Sequence, residues 1–158
     1  MGDERSYDQD PRFGLVVLSE IACRALSPAV NDPGTAIDVI GTGLRLLGQW
    51  LREEGEPDDQ VPFPRVHVPA LKLGDMFEDL FWGIARDGAS NMAVGVRLQK
   101  AFLALAQMEG GRAAQEAVLV SRIASQFSSE ALVIEADRKR IESIAAEVQA
   151  VAEKRAGV

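Results

Sequence analysis

An all-α fold, a bundle of about six helices with one long proline-rich loop, is predicted by three features of the sequence. Apolar residues recur at three- and four-residue steps in segment after segment, no segment alternates as a strand would, and every break but one is short. At 158 residues the length suits one core, and 47% hydrophobic with 26% charged residues is ample for burying it and too apolar for a disordered chain. A polar lead over residues 1–9 and a single helical domain over 10–156 are expected.

Asp10 followed by Pro11 reads as an N-cap with proline at the first helical position, where its missing N–H costs nothing. The helix it starts should run to about Leu26. Phe13, Val17 and Ile21 form one apolar line and Leu15, Leu18, Ala22 and Leu26 another, an apolarity over most of the circumference that predicts a central helix. Ser27 to Pro33 holds two prolines and ends in a second Asp-Pro signal, so a structured turn leads into a helix from Pro33. Ile37, Ile40, Leu44, Leu47 and Leu51 give that helix one buried stripe. Gly41, Gly43 and Gly48 interrupt it, each at up to ~1 kcal/mol of helix propensity, which points to a bend or to close approach of another backbone.

Residues 53–69 carry four prolines and a run of acids, the composition of a long loop, within which Arg65 to Val68 could lie extended. Asp75 to about Arg86 is helical by its face of Phe77, Leu80, Phe81 and Ile84, and Gly88 should end it. Ser90 is placed to cap the next helix, whose stripe is Val94, Leu98, Ala101, Phe102 and Leu105 before Gly110-Gly111 breaks the chain. Arg112 to Phe127 follows, with Ala113, Ala117, Val120, Ala124 and Phe127 inward. The last helix should span about Ser129 to Arg155 as a surface helix, with Ile141, Ile144, Ala145, Val148 and Val151 on its apolar side.

A net charge of -7 with a pI near 4.8 repels phosphate backbones, and Arg138-Lys139-Arg140 is a single short turn, so no nucleic-acid partner is expected. Direct lipid binding is not expected either, because attraction to anionic lipid needs clustered Lys and Arg. Cys23, the single cysteine, allows no internal disulfide and reads as a buried structural thiol in a reducing compartment. No stretch reaches the ~18 consecutive apolar residues of a bilayer span, and Met1 to Gln9 lacks the layout of a signal peptide.

No catalytic constellation emerges, and neither a metal nor a cofactor is expected. His67, the sole histidine, has no second ligand beside it. The carboxylate pairs Glu53-Glu54, Asp58-Asp59 and Glu78-Asp79 are adjacent, so on a helix they diverge by ~100° and read as solvated. The nucleophile elbow, the phosphate loop and the dinucleotide fingerprint are absent; Gly41-Thr42-Gly43 lies in mid-helix. The richest segment is Ser27 to Thr35. Free backbone N–H groups at this corner could hold an anion or a carbonyl oxygen, with Ser27, Asn31, Asp32 and Thr35 as candidate ligand-binding residues. Asp32 would equally serve as the cap of the second helix, which makes the corner a rigid helix-turn-helix.

Asp10-Pro11-Arg12-Phe13-Gly14, the run Ala25 to Pro33 and Thr35-Ala36 resemble the hallmark of the bacterial family known as domain of unknown function 2254. Arg65 to Leu71 and Asp87-Gly88-Ala89-Ser90-Asn91 resemble two later segments of that family, so the resemblance covers roughly the first two thirds of the chain. It implies a predicted membrane protein in which membrane helices precede a soluble region, and the chain resembles that C-terminal soluble part. The resemblance supplies a setting and no reaction. The expectation is therefore a non-catalytic cytoplasmic domain, on the inner face of the bacterial membrane, that packs on or regulates a membrane-embedded region of the same or a partner protein and forms a homo-oligomer. The alternative is a small-ligand sensor or enzyme with its pocket at the Ser27 to Thr35 corner and residues 53–69 as a lid.

Overall fold

The computed structural model describes residues 10–53, 70–108 and 111–157; the expected lead at 1–9 and, apart from Glu53, the expected loop with His67 and Arg65 to Val68 lie outside them. Among the described residues six helices make up the fold and no strand occurs. Helix α1 spans Pro11–Leu26 and α2 spans Pro33–Glu53. Helix α3, residues 73–87, is built of Leu73–Phe77, a π-helical turn Glu78–Trp82 and Gly83–Asp87. Helices α4, Met92–Ala106, α5, Arg112–Ala131, and α6, Glu135–Ala156, complete the bundle.

Both Asp-Pro signals start helices where expected. The Asp10 carboxylate accepts from Phe13 N–H at 3.3 Å and leaves Pro11 at the first position. Gly88 ends α3, its N–H donating to the Ile84 carbonyl at 2.8 Å. The cap of α4 is Asn91, one residue beyond the expected Ser90: its side-chain oxygen accepts from Ala93 and Val94 N–H at 3.1 and 3.2 Å. Leu132, Val133 and Ile134 separate α5 from α6, so α5 runs four residues past Phe127 and α6 starts at Glu135 instead of Ser129. There Arg138 donates to the carbonyls of Leu132 and Val133 at 2.6 and 3.2 Å and satisfies the exposed end of α5.

Helices α1 and α3 run in the same direction, since Arg12 reaches Asp75 and Asp79 while Cys23 lies against Gly83. Helices α2, α4 and α6 run the other way: Gly41 faces Arg97, Gly48 faces Met108, Gly95 faces Ile141, and Arg155 binds the carbonyls of Gln107 and Met108. The turns at 27–32, 88–91 and 132–134 therefore share one end of the bundle.

The most enclosed helix is α4, which buries Val94, Gly95, Leu98, Gln99, Ala101, Phe102, Leu105 and Ala106 among α2, α3, α5 and α6. Helix α1, expected at the centre, is peripheral. It packs on α2 and α3, buries only Leu15, Ser19, Ala22 and Ala25, and leaves Ile21 46% exposed. Small residues decide this: the face that meets its neighbours is the one that permits close approach, and the bulkier line of Phe13, Val17 and Ile21 is left partly uncovered. An edge-to-face chain of rings, Phe77 to Phe81 to Phe102 with centroids 5.7 and 5.0 Å apart, joins α3 to α4 at the centre of the core. The π turn places the consecutive Leu80 and Phe81 both inside it and sends Trp82 outward onto Phe127.

The α2 glycines serve close approach by side chains and not by another backbone. Gly43 receives Leu80, Gly41 the guanidinium of Arg97, and Gly48 the thioether of Met108.

Candidate functional site

The structure brings Ser27, Asn31, Asp32 and Thr35 together at the corner between α1 and α2. Ser27 caps the end of α1, its hydroxyl and its N–H both donating to the Arg24 carbonyl, at 2.7 and 3.2 Å. Asn31 is the residue that turns the chain, at a left-handed φ of 49° that asparagine tolerates better than most residues. Its N–H donates to Ser27 O at 2.8 Å, and the Asp32 N–H returns to Ala25 O at 2.8 Å. Thr35 donates to Asp32 twice, from its N–H at 3.1 Å and from its hydroxyl at 2.6 Å, so both carboxylate oxygens serve as the cap of α2. Those two bonds, the hydroxyl first, hold the Asp32 carboxyl below the ordinary carboxylate range.

Three further polar groupings each join two helices, and one of them engages Asp79, which the sequence led one to expect solvated. Arg12 binds Asp79 in bidentate fashion, from Nε at 2.6 Å and Nη2 at 3.1 Å, and Asp75 from Nη1 at 2.7 Å. Those partners lie 63 and 67 residues away, a separation at which periodicity carries no signal. The grouping ties the start of α1 to α3 with charge-assisted bonds. In the core, Ser121 donates its hydroxyl to Gln99 Oε1 at 2.6 Å while Gln99 Nε2 donates to Ser121 O at 2.9 Å, a closed pair between α4 and α5. At Gly83 a Cβ would stand 2.9 Å from Cys23 Sγ and 3.2 Å from Ser19 Oγ, so α1 and α3 approach closely there. Burial first, and then the Asp87 carboxylate that accepts from the thiol, push Cys23 up to about 11. That is the environment of an inert thiol and not of a nucleophile.

A groove of about 260 Å³ runs between α5 and α6, lined by Val118, Ser121, Arg122, Ser125, Glu142, Ala145 and Gln149. None of its side chains is paired as a nucleophile with a base. Among the described residues no three of His, Cys, Asp and Glu converge to hold a metal ion, and no helix is long and apolar enough to cross a membrane.

Comparison with known proteins agrees with the resemblance in the sequence. The family described as "Predicted membrane protein (DUF2254)" matches residues 1–104. The chain is also similar to the uncharacterized proteins Rv1290c of Mycobacterium tuberculosis (strain ATCC 25618 / H37Rv) and Mb1321c of Mycobacterium bovis (strain ATCC BAA-935 / AF2122/97). Identity to each is 49% over 59 residues, which is 37% of this chain and 11% of the relative's length. No solved structure matches the chain. With two thirds of its length matched, from the polar lead to the last turn of α4, the chain belongs to the DUF2254 family of predicted membrane proteins.

Proposed function

We propose that the chain is a non-catalytic cytoplasmic module of a membrane protein, which packs on and regulates a membrane-embedded region of the same or a partner protein and self-associates through one end of its bundle. The observation that carries this reading is the set of exposed aliphatic residues at that end. Val133 is 91% exposed, Ile134 60% and Val30 54%, and all three sit on the turns that share it. Burying a branched aliphatic side chain is worth roughly 1.5–3 kcal/mol, so a partner covering this end gains several kcal/mol before ordering costs. Exposed apolar surface of this kind marks association sites.

The test has two arms. Sedimentation of the 158-residue chain should give a defined oligomer of 17.1 kDa protomers that Val133→Asp with Ile134→Asp converts to monomer. In cells, a photo-crosslinking residue at position 133 of the native gene product should capture a second copy or the membrane-embedded region. A monomer in solution together with no crosslink in cells overturns the proposal.

A further inference from the structure

Where α2 crosses α4, two arginines converge without an acid between them. Gly41 has no Cβ, and the point such an atom would occupy lies 3.0 Å from Arg97 Nη2 and 3.7 Å from Arg45 Nη1. Arg97 is half-buried there, and its Nε is fully buried with no hydrogen-bond partner among the described residues. Arg45 donates from Nη2 to Thr42 Oγ1 at 2.9 Å, and neither guanidinium forms an ion pair among the described residues. The same seam carries Arg52, whose Nη1 lies 3.6 Å from the Cβ point of Gly48. Asp38, which is exposed, stands one turn before Gly41 and engages Thr42 through its main-chain oxygen, not its carboxylate.

Arg45 and Arg52 are exposed, so the cost of this arrangement falls on half-buried Arg97, whose buried Nε has no acceptor among the described residues. The chain as a whole carries -7, so this seam is basic against the sign of the molecule. An oxyanion between the two guanidinium forks would accept from both, and tetrahedral phosphate oxygens match the fork geometry. We propose that Arg45 and Arg97 form a binding site for a phosphate-type oxyanion in the seam between α2 and α4. Its source is a free phosphate or phosphomonoester, or the headgroup of an anionic lipid.

The experiment titrates inorganic phosphate into the 158-residue chain at fixed ionic strength and reads the melting temperature and the heat of binding. The melting temperature should rise above that in matched sodium chloride, and Arg97→Met and Arg45→Gln should each weaken binding about tenfold or more. Arg97→Met keeps an apolar stem and deletes the orphaned donor, so without phosphate it should melt no lower than wild type, which separates lost binding from misfolding. Arg122→Gln, in the α5–α6 groove, should respond like wild type. Flotation with phosphatidylcholine vesicles, with and without phosphatidic acid, distinguishes the sources. A phosphate response that needs both arginines, without vesicle binding, identifies the soluble oxyanion; vesicle binding that needs both, without a phosphate response, identifies the headgroup; both together identify a site open to either. No response to either probe, or responses that survive both substitutions, overturns the site.

Discussion

Cys23 shows how burial and one neighbour set the reactivity of a residue. With its thiol pushed up to about 11 by burial and then by Asp87, against an ordinary 9.0, its thiolate fraction at pH 8 should be about 100-fold below that of an unperturbed cysteine. Iodoacetamide labelling followed by intact mass should be slow by a comparable factor, and Asp87→Asn should speed it. At Gly88 the constraint is steric: a Cβ would stand 2.8 Å from the Ile84 carbonyl oxygen and 2.6 Å from Val94 Cγ1. Gly88→Ala should cost about 1–3 kcal/mol in urea denaturation, because a backbone oxygen cannot swing aside as a side-chain tip can. Asp32 contributes through its charge. Its folded carboxyl titrates below its unfolded value, so the stabilisation is complete above about pH 4 and is lost as pH falls through the lowered folded value. The stability gap between wild type and Asp32→Asn, measured by denaturation at pH 6 and again at pH 3, should therefore narrow on acidification.

Helix boundaries depend on which competing signal captures the backbone. Asn91 accepts from two N–H groups of α4, whereas Ser90 is exposed and makes no cap bond, so Asn91→Ala should cost about 1 kcal/mol in the denaturation midpoint and Ser90→Ala almost nothing. The expected cap was Ser90, and Asn91, an equally good cap one position on, takes the role instead. The two Asp-Pro starts were legible because proline restricts both its own φ and the residue before it, and Gly88 was legible as a stop. The break at 132–134 was not. Leu132-Val133-Ile134 is apolar and continues the helical stripe, and the Arg138 guanidinium that reaches back five and six positions to the carbonyls of Val133 and Leu132 leaves no mark in that periodicity. The corner residues Ser27, Asn31, Asp32 and Thr35 were found together because they are close in sequence. Arg45 and Arg97 were passed over because 52 positions separate them, and only the crossing of α2 with α4 at Gly41 brings them to one point.

At the scale of the molecule, the family match ends at residue 104, inside α4, while the core does not. Helices α5 and α6 supply Ala113, Ala114, Ala117, Val120, Ala124 and Val148 to the same buried cluster that holds Phe77, Phe81 and Phe102. Ser121 is the partner of buried Gln99, and Arg155 satisfies the carbonyls of Gln107 and Met108 at the end of α4. A chain cut after residue 108 would leave the most enclosed helix of the bundle facing water along the side where α5 and α6 lie, with the amide of Gln99 stripped of its partner. Such a fragment should lose its cooperative melting transition even though it retains the whole matched region. Phe102→Ala in the full chain should cost about 3–5 kcal/mol yet still melt cooperatively, because α5 and α6 continue to cover α4. If the fragment instead melts as sharply as the full chain, with native-like helix content by circular dichroism, then α1 to α4 form a self-sufficient core and α5 and α6 are an addition to it.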